Sequence, residues 1–126
     1  MSEEIRTHRI VLVDRQNRER GRIGFFGDDD DCISIVIWGK TGGRIELSIN
    51  EKSGCAVQIE GRDGHSGLHL ASGDQNGAGF RLNDGEGKPG IIGGVTQSGQ
   101  SVIRVFSKDA VKDLITGVSI PFEAGD

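Results

Sequence analysis

The sequence predicts an all-β chain of short antiparallel strand–turn–strand units, repeated as a meander. Three observations predict it. Several stretches alternate apolar and polar residues at period 2, the pattern of a strand with one buried face. Clusters of Gly, Asn, Asp and Ser separate those stretches at regular intervals. The composition agrees, with 21 glycines, two prolines and no tyrosine in 126 residues. Glycine at this level, without a collagen period or a Ser-rich linker, indicates many tight turns. Five phenylalanines and one tryptophan leave a core that must be aliphatic.

The clearest unit is 55–72. Val57 and Ile59 alternate with Gln58 and Glu60, and Leu68 and Leu70 flank His69. Asp63-Gly64 reads as a two-residue hairpin turn, and Asn76-Gly77 supplies the same chemistry at the next one. A step of 23 from 57 and 59 leads to Phe80 and Leu82, then to Ile103 and Val105. Backwards it leads to Ser34 and Val36, and a further step of 24 to Ile10 and Leu12. The second strands align as Ile23, Leu47, Leu70 and Gly93, with Gly21, Ile45, Leu68 and Ile91 beside them. Phe25, Ile49, Ser72 and Val95 form a third row. A fixed period of this size marks a repeat architecture. About four and a half units cover 9–117 of a single domain spanning 1–126, with a tail at 118–126.

In chain order, turns within units fall at 14–18, 39–43, 61–65 and 84–88. Turns between units fall at 27–31, 50–54, 73–77 and 96–100, giving about eight to ten strands. The end of the chain reads two ways. Ser107 can cap a short helix carrying Val111, Leu114 and Ile115 on one face. The repeat instead makes 112–115 a strand, with Leu114 matching Ile91. Ile120-Pro121-Phe122 reads as a docking tail.

The unit resembles a repeat found in bacterial proteins of uncharacterised function, with the pattern aliphatic-x-Asp-x-x-Gly-Lys-x-Arg-aliphatic-x-aliphatic. Leu12-Val13-Asp14 through Ile23 and Ile37 through Leu47 are similar to it, and Leu82 through Lys88 keeps its turn. Asn17 stands where Gly is usual, and Gly67 and Gly90 stand where Arg is usual. The resemblance implies a β-repeat and carries over no site residues.

Such strands present an apolar face that a single flat sheet cannot leave in water, since ordering roughly 100 residues costs on the order of 100–200 kcal/mol. The expectation is a prism with a core shared in a homo-oligomer, preferably a trimer about a threefold axis, or else a small barrel. The strand Cys32–Trp38 is apolar on both faces, and Ile10–Val13 is similar. Stepping by 23 places Val11, Val13, Ile33, Ile35 and Ile37, with Phe26, in an apolar outer patch, while Val36 and Trp38 point the other way; that patch and Trp38 are the candidate interaction residues. That patch is either covered by Ile120, Phe122 or the N-terminal arm, or is a surface for another protein chain.

No convergent nucleophile, base and oxyanion donors emerge, so the expectation is not an enzyme. His65 and His69 have a helical metal spacing but lie on a turn and a strand, so no metal or other cofactor is expected. Asp28–Asp31 lack the spaced ligands of a calcium loop. Gly85–Gly90 resembles a phosphate loop only superficially, without the Gly-Lys-Ser/Thr ending or a following helix. The N-terminal arginines 6, 9, 15, 18, 20 and 22 read as a solvated surface or as partners of the acidic turn. Cys32 and Cys55 fall one repeat apart, at equivalent positions; a meander would hold them too far apart for a disulfide, whereas a solenoid would bring them together.

A net charge of −4 argues against nucleic acid, and no apolar run reaches the length of a membrane span. With only two cysteines and an acidic start, cytoplasmic residence is the expectation. The leading reading is a non-enzymatic structural, oligomerising or protein-binding β module. The alternative is a lectin-like or small-ligand module using the polar residues Gln58, Glu60, His69, Arg81 and Asn83.

Overall fold

The computed structural model describes residues 3–73, 77–107 and 110–114. Among these, every regular element is a β-strand: β1 (Arg9–Val13), β2 (Glu19–Phe26), β3 (Cys32–Trp38), β4 (Arg44–Asn50), β5 (Gly54–Glu60), β6 (Gly67–Gly73), β7 (Gly77–Asn83), β8 (Pro89–Val95), β9 (Ser101–Phe106) and β10 (Val111–Leu114). They form one ten-stranded antiparallel sheet in which each strand pairs with its neighbours in sequence. The meander is therefore the observed topology. Among the described residues the order runs from β1 to β10 and the sheet is not closed.

The expected turns lie between these strands, and their chemistry is local. In the first, Asp14 Oδ1 accepts from the amides of Gln16 (2.9 Å) and Arg18 (3.1 Å). Asp84 repeats this with Glu86 (2.8 Å) and Lys88 (3.0 Å). Asn17 sits at φ 61°, where Asn is the best substitute for Gly. The 55–72 hairpin corrects an expectation. Glu60 pairs with Gly67, so the turn is six residues long, closed by Gly61 N donating to Ser66 O at 2.7 Å. Only Gly64 is left-handed there, at φ 76°; Asp63 instead accepts from the His65 and Ser66 amides, both at 2.9 Å. Asn76 lies outside the described residues.

The register carries apolar side chains straight across the sheet. One row runs Ile10, Ile23, Ile35, Leu47, Val57, Leu70, Phe80, Gly93, Ile103, each paired with the next. A second runs Leu12, Gly21, Ile37, Ile45, Ile59, Leu68, Leu82, Ile91, Val105. A third runs Phe25, Ile33, Ile49, Cys55, Ser72, Ala78, Val95, Ser101. The rows alternate with the opposite face at period 2, so all three share one face.

One unit departs from the expected register. Ile35, not Ser34, holds the place of Val57, 22 residues earlier rather than 23. The cause is turn length. Units one and four carry a five-residue turn plus a bulge, where the register shifts between Leu12 and Val13 and between Leu82 and Asn83. Unit three has its six-residue turn. Unit two has five turn residues and no bulge, so the unit as a whole is one residue shorter. Cys32 and Cys55 consequently are not equivalent: Cys32 pairs with Asn50 and Cys55 with Ile49, on opposite faces, and both are free thiols.

At the end of the chain, residues 111–114 form a strand and not a helix. Its register is shifted from the expected one, with Lys112 opposite Val105 in the row of Ile91, and Leu114 opposite Ile103. Residues 115–126, including Ile120 and Phe122, lie outside the described residues.

Candidate functional site

The burial pattern is inverted relative to a sheet with its core in place. No apolar side chain among the described residues is buried. On β4, Ile45, Leu47 and Ile49 are exposed, while Glu46 and Ser48, which face the other way, are half-buried. The three apolar rows are open along the whole sheet, from Ile10 on β1 to Ile103 on β9. A furrow of about 590 Å³ crosses the middle of the sheet; Ile33, Ile35, Leu47, Ile49, Val57 and Leu70 line it, together with small residues of β5–β7. Soluble monomers rarely expose a contiguous apolar face of this extent.

The opposite face is mixed. Gln58, His69 and Arg81 are cross-strand neighbours in one row, and Glu60, Gly67 and Asn83 in the next. All five residues of the expected polar face therefore come together, beside a groove of about 330 Å³ that also touches Arg44 and His65. Gln58 Nε2 lies 3.5 Å from His69 Nδ1. Asn83 Oδ1 is enclosed and has no hydrogen-bond partner.

The expected apolar patch is divided between the two faces. Ile33, Ile35 and Ile37 belong to the apolar rows. Val11 and Val13 lie on the polar face, where Val11 pairs with Arg22. Phe26 and Trp38 share that face: the Arg9 guanidinium stands 4.8 Å over the Phe26 ring, and the Trp38 carbonyl accepts from Arg20 Nε at 3.1 Å. A strand that is apolar on both sides carries no phase of its own, which is why the sequence put these residues together. The phase was nevertheless recoverable. Counting outward from the turn at 39–43 pairs Ile37 with Ile45 and Ile35 with Leu47, and the alternation of β4 is unambiguous.

The charged clusters resolve locally. Asp14 holds Arg18 at 2.9 Å and Arg20 at 3.4 Å, Glu19 holds Arg22 at 2.7 Å, and Glu4 holds Arg6 at 2.8 Å. From the acidic turn, Asp31 reaches Lys52 at 3.5 Å. The Arg18 and Gln16 amides, with the Arg18 guanidinium, hold the Asp14 carboxyl below its ordinary value of 3.8. The His65 and Ser66 amides and the Ser66 hydroxyl do the same for Asp63. His65 lies in the turn and His69 on β6. Among the described residues no three His, Cys, Asp or Glu side chains converge as metal ligands would. Gly85–Gly90 is a hairpin turn running into β8, with Asp84 N donating to Lys88 O at 2.8 Å. No helix among the described residues is long and apolar enough to cross a membrane.

Compared with known proteins, the chain matches no protein-family model, no curated protein and no solved structure.

Proposed function

We propose that this chain is a non-enzymatic structural module that assembles with copies of itself, its apolar face forming a core shared between chains. The observation that carries this is the fully uncovered apolar face: three continuous rows and no buried apolar side chain among the described residues. Hydrophobic burial is the dominant favourable term in folding, and here it is supplied only when the face meets another surface. A second copy is the occupant always present at matching concentration, and its face has the same area and chemistry. Nine strand spacings of about 4.8 Å and strands of about seven residues make the face about 43 Å by 20 Å. That is about 850 Å², close to the roughly 800 Å² per partner of a stable interface. Light scattering coupled to size exclusion tests the proposal. Assemblies of two or more chains are expected at micromolar concentration, and a folded monomer refutes it.

A second reading is favoured by the polar groove. Gln58, Glu60, His69, Arg81 and Asn83 offer donors and acceptors around one concavity, and Asn83 Oδ1 lacks a donor. That arrangement suits a small polyhydroxylated ligand such as a sugar. A glycan array answers this separately from the assembly state: specific hits lost in Arg81→Ala support it, and an array without hits removes it.

A further inference from the structure

The third apolar row changes size abruptly at the middle of the sheet. On β2, β3 and β4 it carries Phe25, Ile33 and Ile49; on β5, β6 and β7 it carries Cys55, Ser72 and Ala78. The other two rows remain large across the same six strands except at Gly21. The sheet thus presents three knobs beside three notches, and the furrow lies where the row falls from large to small. Knobs and notches are placed symmetrically about the β4–β5 junction. Ile49 and Cys55 are adjacent, Ile33 and Ser72 one strand further out on either side, and Phe25 and Ala78 one further still.

We infer that the shared core is a twofold face-to-face dimer, with its axis parallel to the strands at the β4–β5 junction. The inference rests on the self-assembly proposed above and adds its geometry. A twofold interface is isologous, so a patch must complement itself: where one residue meets a second, the second meets the first. Rotation about this axis lays β4 over the partner's β5, β3 over its β6 and β2 over its β7. Ile49 then faces the notch at Cys55 of the other copy, Ile33 the notch at Ser72, and Phe25 the notch at Ala78. The strands of the two sheets remain near alignment, the packing of β-sandwiches, with about 10 Å between layers. A threefold arrangement does not require knob and notch to lie at equal distances from one line; a twofold does.

The test is an engineered cross-link. Ile33→Cys and Ser72→Cys are combined in a chain whose own thiols are removed by Cys32→Ser and Cys55→Ser. Within one chain the two positions are three strands apart, about 14 Å, too far for a disulfide. Across the twofold they are opposed twice. A short bifunctional thiol linker that spans the roughly 10 Å between layers but not the roughly 14 Å within a chain is expected to give a covalent species of twice the 13.5 kDa chain mass and nothing larger. Each single-cysteine variant is expected to remain uncross-linked. A cross-linked trimer or ladder overturns the twofold and leaves the shared core standing. An unmodified chain that is dimeric by light scattering, with no cross-link in the double variant, also overturns this geometry alone. A monomeric unmodified chain overturns both. Both positions lie on the uncovered face; Ser72 is exposed and Ile33 is half-buried by its neighbours in the sheet, so the denaturation midpoint of the variant is measured beside the cross-link.

Discussion

Leu47→Ala separates a shared core from a merely exposed one. Leu47 sits mid-row on β4, between Ile35 and Val57, and keeps 45% of its surface exposed in the single chain. Complete burial of a leucine side chain stabilises by roughly 1.5–3 kcal/mol. Slightly more than half of that is already gained within the sheet, so assembly adds roughly 0.7–1.4 kcal/mol per copy. A twofold interface contains the residue twice, and truncating it removes roughly 1.4–2.8 kcal/mol, weakening the dimer roughly 10–100-fold. Sedimentation equilibrium over a dilution series measures this directly. Val13→Ala is the control: Val13 is similarly exposed, at 52%, but lies on the polar face, and its removal is expected to leave the dissociation constant unchanged. An unchanged constant for Leu47→Ala, or an equal loss for Val13→Ala, refutes the assignment of the interface to the apolar face.

Two further predictions concern the turns. Gly54→Ala places a side chain at φ 105° and drives its Cβ against the Ser72 carbonyl of the next strand, 2.8 Å from the Gly73 Cα. A loss of roughly 1–3 kcal/mol is expected, read as a lower denaturation midpoint; a midpoint equal to the parent chain contradicts the geometry. Asp63 is expected to titrate below 3.8, because the His65 and Ser66 amides bind its ionised form. A carboxyl held lower in the folded than in the unfolded chain contributes stability above 3.8, and that contribution is lost as pH falls through the folded value. Carboxyl-carbon NMR measures it, and a midpoint at or above 3.8 contradicts the hydrogen-bonded turn.

Much of this arrangement is legible in the sequence. Gly, Asn and Asp clusters located the turns because only a few residue types tolerate or cap those conformations. The polar set Gln58, Glu60, His69, Arg81 and Asn83 was legible because β5, β6 and β7 alternate cleanly, so period 2 assigns each side chain to a face. The same rule failed at Cys32–Trp38, where both phases are apolar and the choice passes to the neighbouring strand. It failed again at the end of the chain, where Lys112 took the place expected for Leu114, and Leu114 moved one row over, opposite Ile103.

The sequence by itself determined the class of structure: short strands, tight turns, and one strongly apolar face. Those properties are local, written in alternation and turn chemistry. The tertiary structure decided what depends on counting residues through turns and bulges. One turn residue more or a bulge at Arg20 or Gly90 moves every following side chain relative to its neighbours. Register alone brought Phe25, Ile33 and Ile49 into line with Cys55, Ser72 and Ala78. No single strand contains that step from large to small; it exists only across six paired strands, on the face left open.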